Sequence, residues 1–410
     1  MRAVARFVAV VATVSIMAAF TGPASWAKSS RPSASPITVG LITSLTGLAA
    51  PQFVGALQGA QARIDLQNAQ GGVNGHKINL ISADDQTSFQ GASTAMSELV
   101  NLKHVFAIID LSDFTTSAYR IAQQAGVPVV GFPTDGPEWG QRPNTNMVSI
   151  AGNVPPTGVG GIVNTVWPNV AKLLDAKNMA ALAIGGEAAA IQGAQSFVRA
   201  AKVDGVKVGY TNYSIPIATV DVTSLVLSLK QAAVDGFFGS LLINTNFAIL
   251  TAARQAGLKL VAPMMETGYG QQLLDQPSAV QAGQGAVFPV YQRPLNEPDA
   301  ATRREQAAFA KYEHFTGVPE LGWTWGWISA DLLIQGLKRA GTSPTRTSFL
   351  RALHNLRGYD AEGLLPSPID ISLKDFGTAP AKQCYYFERL EGSQFVPLNG
   401  GKPVCGRTVK

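Results

Sequence analysis

Ile37-Thr38-Val39-Gly40-Leu41-Ile42, Ile78-Asn79-Leu80-Ile81-Ser82, Val105-Phe106-Ala107-Ile108-Ile109 and Val127-Pro128-Val129-Val130-Gly131-Phe132 are four short apolar runs of strand length. Helical patterns near Phe53–Asn68, Gln90–Leu102 and Thr115–Gln124 separate them. Strands that are apolar on both faces, joined by helical crossovers, predict a parallel sheet covered by helices on each side. The turns agree with that: Gly71-Gly72 and Asn74-Gly75 supply positive φ before the second run, and Ala125-Gly126 ends the third helix.

Past Met147 the same grammar returns. Met179–Ile184, Val206–Tyr210, Gly236–Ile243 and Lys259–Pro263 read as strands, and Ile191–Val203, Val222–Ala233 and Phe247–Gln255 as helices. A second parallel α/β domain is expected. After an apolar run, Ala286–Val290, three helical segments follow without strands between them, at about Asp299–Phe315, Trp323–Ala340 and Thr345–Leu356. They extend neither sheet and are expected to pack back on the first domain. A hairpin, Ala381–Arg389 and Gln394–Pro397 around Glu391-Gly392, closes the chain.

At 410 residues the chain exceeds one ordinary domain, and 46% apolar with 14% charged residues excludes a disordered chain. Residues 1–27 read as a secretory signal: Arg2 and Arg6 lead an apolar stretch, Phe7–Phe20, and Ser25-Trp26-Ala27 is a small-x-small cleavage site. Fourteen residues span about 21 Å as a helix, short of the roughly 30 Å of a bilayer core, so cleavage after Ala27 is expected rather than an uncleaved anchor. Residues 28–36 form a Ser/Pro-rich tether. The formal charge of +5 loses Arg2 and Arg6 with the leader and falls to +3; with basic residues scattered, no nucleic acid partner is expected. Cys384 and Cys405 are the only cysteines, so no thiol near the leader takes a lipid, and outside the cytoplasm the two are expected to form a disulfide, with two buried thiols as the alternative.

Catalytic signals are missing: there is no G-x-S-x-G, P-loop or G-x-G-x-x-G, and Gly268-Tyr269-Gly270 lacks the third glycine. His76, His104, His314 and His354 stand far apart, so no metal site and no cofactor is expected. Asp84-Asp85 at a strand end reads as loop and helix-cap chemistry, since adjacent strand residues point to opposite sides. Two α/β domains without catalytic machinery suggest a binding protein and not an enzyme.

Ile37–Ile42 followed by Leu45-Thr46-Gly47, then Gly71-Gly72-Val73-Asn74-Gly75-His76-Lys77-Ile78 and Asp84-Asp85, resemble the leucine/isoleucine/valine-binding family of type I periplasmic binding proteins. Ala125–Val130 and Ala253–Lys259 fit the same pattern, and the spacing agrees over almost the whole chain after the leader. The resemblance implies an α/β fold of two doubly wound parallel-sheet lobes joined by a three-segment hinge. Lobe one is expected at 37–153 and 287–365, lobe two at 154–286 and 366–410. It also implies a monomeric extracytoplasmic protein that closes on a small-molecule solute and hands it to the membrane permease subunits of an ABC importer. A secreted sensor on the same scaffold is the alternative.

Ligands in such sheets bind beyond the carboxyl ends of the strands. The resemblance therefore directs attention to Gln52 and Phe53 after strand one, where the family has an aromatic residue over the ligand. It also points to Leu111, Ser112, Asp113 and Thr115 after strand three, and to Thr134 and Asp135 after strand four, where the family holds the ligand's carboxylate. In lobe two, Glu266 falls where an acid faces the ligand's ammonium group, and Ala190 where a tyrosine is expected. Asp113 and Asp135 would repel a carboxylate by about 1 kcal/mol at 4 Å in water, more in a dry cleft. Either Ser112, Thr115 and Thr134 do the clamping, or the ligand is not a simple zwitterion, or the aspartates cap the following helices. Trp323, Trp325 and Trp327, at strict i, i+2 spacing, cannot all face inward, so at least one is expected to border the hinge or cleft, with core packing the account for any single one.

Overall fold

Val39, Leu41 and Ile42 are wholly buried in an interior strand of the first sheet, β1 (Ala34–Thr43). A computed structural model describes residues 34–132, 138–152, 163–217, 219, 221–296, 298–374, 376–378 and 382–409. β1 pairs in parallel with β2 (His76–Asp84) and β3 (Ala107–Leu111); β3 pairs with β4 (Val129–Gly131), and β4 with β5 (Met147–Ser149). The order is β2-β1-β3-β4-β5. β5 was not expected, because three residues carry no periodicity. β1 also starts earlier than expected, with Ala34 opposite His76, so the end of the supposed tether is strand. The leader lies outside the described residues, and among those no helix is long and apolar enough to cross a membrane.

The second sheet contains β6 (Val163–Asn164), β7 (Met179–Ile184), β8 (Val208–Ile215), β9 (Gly236–Ser240), β10 (Ala262–Met265) and β11 (Val287–Val290). β8-β7-β9-β10-β11 are parallel neighbours, so the order of the first sheet is repeated. The C-terminal strands β14 (Lys382–Glu391), β15 (Gln394–Pro397) and β16 (Val404–Val409) extend it antiparallel, with Gly392 at φ 58° in the hairpin turn. Cys384 stands opposite Cys405 in the β14/β16 ladder, and the two form the disulfide.

Two expected boundaries move. Val287–Val290, expected with lobe one, is β11 of the second sheet, because its buried run fits between β10 and β14. Ile369–Ser372, expected with lobe two, is β13, which pairs with β12 (Asn355–Tyr359) just after the late helices. Lys259–Pro263 is displaced as well: the strand is Ala262–Met265, with the half-exposed Leu258 and Leu260 left in the preceding turn.

The late helices Ala300–Tyr312, Leu321–Ala340 and Arg346–His354 carry good caps at Asp299 and Thr345, each in a capping box. Leu321–Ala340 lies backbone to backbone on Ala56–Ala69. A Cβ on Gly59 would stand 2.1 Å from the Trp323 carbonyl oxygen, and one on Gly326 2.1 Å from that of Ala56. Buried Arg63 and Asp331 pair across this contact at 2.9 Å, and the Tyr359 hydroxyl donates to Asp331 at 2.9 Å.

Candidate ligand cleft

A 2-1-3-4-5 sheet reverses its winding between β1 and β3, and the crevice beyond those strand ends is the usual ligand position. There Ser44 Oγ donates to Asp85 Oδ1 at 2.7 Å, the Thr87 N–H donates to the same oxygen at 2.8 Å, and Ser112 Oγ donates to Oδ2. Wholly buried Asp85 thus stitches three loops together. Asp84 accepts the N–H groups of Leu45 (2.9 Å) and Thr46 (3.2 Å) and the Thr46 hydroxyl (2.6 Å). Partial burial acts to raise its pKa, yet hydrogen bonds led by that from the Thr46 hydroxyl hold it below the ordinary value. The expected cap falls instead to Ser88, whose hydroxyl accepts the Gly91 N–H at 3.0 Å.

Ser112 also accepts the Phe114 N–H at 3.0 Å, so its one proton is directed at Asp85 and away from any clamping role. Gln52 Nε2 donates to Asp113 Oδ2 at 2.9 Å, which joins the loops after β1 and β3. Phe53 is packed core, 3% exposed, its ring 6.1 Å from that of Trp325; Leu111 and Thr115 are fully buried. Thr134 and Asp135 lie outside the described residues.

On the second sheet, Glu187 caps the helix Ala188–Asp204, and its Oε2 takes the Ala190 N–H at 2.6 Å. Ala190 offers only a buried methyl where an aromatic ring was expected. Glu266 follows β10 directly. Its side chain bonds to Ser240 at the end of β9, and its Oε2 would lie 3.9 Å from a Cβ on Gly193. Protein surrounds the carboxyl closely while part of the residue stays open. Burial pushes its pKa up to about 7 and nearby Glu187 adds to the rise, against the Ser240 bond. Burial likewise holds the Tyr291 and Tyr385 phenols high, Tyr385 at about 12, with the Glu266 charge adding to both.

The ends of the two sheets share one cavity of about 450 Å³. Phe132 after β4 and Ile150–Gly152 after β5 wall it from the first sheet; Tyr291 after β11 and Tyr385 of β14 wall it from the second. Ile328 and the segment 365–370 close it on the hinge side. A run of rings crosses between the sheets here. Phe132 stacks on Trp325 at 4.7 Å and meets Tyr291 edge-on at 5.1 Å, and Tyr291 meets Tyr385 at 5.1 Å. Further along, the Gln271 N–H donates to the Val318 carbonyl at 2.7 Å and the Gln272 N–H to Glu320 Oε1 at 2.8 Å, tying the segment after β10 to the entry of the Leu321–Ala340 helix.

The predicted site residues therefore form two groups, Gln52, Ser112 and Asp113 at the first sheet's rim and Glu266 with Ala190 at the second's. None of them lines the cavity among its described walls. Phe132, Ser240, Tyr291 and Tyr385 were missed. A signal existed for Tyr291, which ends the apolar run Ala286–Val290 where the chain must leave its sheet; Tyr385 carried only its place beside Cys384. Among the described residues no group of His, Cys, Asp and Glu could hold a metal ion.

The family model described as periplasmic binding protein matches residues 36–394. No curated protein matches the chain. Among solved structures, a branched chain amino acid ABC transporter protein from Thermus thermophilus with bound valine is 17% identical, with a TM-score of 0.73, covering 90% of this chain and 96% of that one. A solute binding protein from R. palustris in complex with benzoate is 17% identical, with a TM-score of 0.70, covering 90% and 97%. A fatty acid ABC transporter substrate-binding protein from Thermomonospora curvata is 20% identical, with a TM-score of 0.71, covering 89% and 91%. At these identities the likeness establishes the shared fold.

Proposed function

We propose, because this chain belongs to the periplasmic binding protein family, that it captures an amino acid or a related small organic solute outside the cytoplasm and hands it to the permease subunits of an ABC importer. The observation that carries this reading is the cavity walled by strand ends of both sheets and by the segments that cross between them. A solute seated there touches both lobes at once and so stabilises the form in which they are closed. No covalent step is involved.

Lobe one, on this reading, is the first sheet with the three late helices and β12-β13; lobe two is the second sheet with the C-terminal strands. The crossings follow β5, β11 and β13. Residues 1–27 are a leader removed at secretion, which leaves Lys28 as the first residue. Glu266 receives the polar head of the solute. Among the described residues the charge that perturbs its carboxyl is the like charge of Glu187, so an incoming N–H donor or ammonium group would supply an opposite partner. The bound valine of the Thermus thermophilus protein is consistent with such a head, while benzoate and fatty acid as ligands of the other two leave the tail of the solute open.

Isothermal titration of the full chain with leucine, isoleucine, valine, phenylalanine and their decarboxylated amines tests this. One-to-one binding, with a smaller radius of gyration by small-angle scattering at saturation, is the expected result. Saturation with an unchanged radius contradicts closure.

A further inference from the structure

We propose that the solute carries an apolar tail, an acyl chain or an aryl group larger than a branched-chain side chain, and that this tail lies in the hinge cavity behind the polar head at Glu266. This rests on the solute-binding reading above and narrows it to a substrate class.

The walls argue for it. Phe132, Ile150, Ile328, Leu365 and Ile369 present hydrocarbon to a space of about 450 Å³, which lies within the roughly 300–1,000 Å³ of sites that enclose drug-sized ligands. Phe132, Leu365 and Ile369 remain only half-buried. Concave apolar surface left to water is unfavourable by roughly 25 cal/mol per Å², so an apolar occupant gains affinity by covering it. The two charged residues on the wall, Asp370 and Lys382, are both exposed. A branched-chain side chain would leave most of this space unfilled.

Position argues for it as well. Tyr291 and Tyr385 line the cavity, Tyr291 just past β11, and Glu266 follows β10, the parallel neighbour of β11. Head site and tail site therefore lie at neighbouring strand ends of the second sheet. Every crossing segment contributes to the cavity: Ile150–Gly152 stands at the first, Tyr291 at the second and 365–370 before the third. A tail in this place would report its own length to the hinge.

The test uses two homologous series on the full chain, n-alkylamines and n-alkanoates of about four to ten carbons, titrated by calorimetry alongside leucine. Each methylene entering an apolar site adds about fourfold in affinity, so at least one series is expected to rise by about that factor per carbon until the cavity is filled. Ile369→Trp and Ile150→Phe, from different crossings, fill the space the longer members would enter and are each expected to flatten the rise. Should one variant fail to fold by circular dichroism, the other decides. A rise in the alkanoates alone keeps the tail inference and overturns Glu266 as the partner of an ammonium head. Leucine binding with no rise in either series, or with equal slopes in parent and filled variants, overturns the tail inference and leaves the solute-binding reading standing. Absence of all binding overturns both.

Discussion

Phe132 and Trp325 lie face to face, with ring centroids 4.7 Å apart and planes 11° apart. Phe132 ends the run that includes β4 of the first sheet, and Trp325 stands in the helix Leu321–Ala340 that returns to that sheet late in the chain. The stack forms the floor from which the rings continue to Tyr291 and Tyr385. Because Trp325 is 4% exposed, its indole reports on the cavity wall without facing bulk water.

Replacing Phe132 with Ala should remove this stack and one apolar wall. We expect a loss of stability of about 2 kcal/mol, below the 3–5 of a fully buried Phe because the ring is half-buried. Urea unfolding followed by tryptophan emission measures it, and a midpoint equal to that of the parent contradicts the packing role.

Asp331→Ala should cost more, about 3–5 kcal/mol, because it leaves the Arg63 guanidinium buried without its counter-charge. Asp331→Asn, which keeps the side-chain shape and one acceptor oxygen for Arg63 while turning a donor NH2 toward Tyr359, should lose less. Equal losses in the two variants would place the effect in the charge and not in the shape of the side chain.

Glu266 and Glu305 are both pushed up by burial, to about 7 and about 8. Each takes up its proton more readily in the folded than in the unfolded chain. Their contribution to stability is therefore complete below the ordinary value of 4.5 and is lost as pH rises through 7 and 8. The ligand-free protein should unfold at a lower temperature at pH 8 than at pH 5, and Glu266→Gln should remove part of that slope. A ligand with an ammonium head reverses the sense for binding, since it needs the carboxylate: its affinity should rise with pH across 6 to 8 in the parent and stay level in Glu266→Gln. Loss of that buried ion pair should reduce affinity by roughly 2–5 kcal/mol at pH 8.

The disulfide closes a separation of 21 residues between β14 and β16. Reduction should lower stability by about 3 kcal/mol on the chain-entropy estimate. Thiol titration of the unfolded, unreduced protein should find no free thiol, and a titre of two would contradict the bridge.

Repetition made most of the fold legible in the sequence. Met179–Ile184 reads as a strand because it is continuously apolar between polar turns, and it is β7 at those same residues. The β5 strand was hidden because three residues show no period, and Val166–Leu173 because Pro168 interrupts its first turn. The site was less legible. Glu266 was pointed to by the resemblance alone; hydrogen bonds decide what Ser112 and Asp113 do, and these join residues far apart in the chain. Asp85 accepts the hydrogen bond from the Ser112 hydroxyl, and Gln52 donates to Asp113. The cavity was not legible, because Ile150, Tyr291 and 365–370 come together only where the chain crosses between its two sheets.

The central claim, capture of a solute between two lobes with its head at Glu266, is met most directly by mass spectrometry of the small molecules released when the purified full chain is denatured. The account predicts one organic solute at close to one equivalent from the parent, with a polar head and an apolar tail, and little or none from Glu266→Gln. The same amount of solute from both proteins, or none from either, would contradict it.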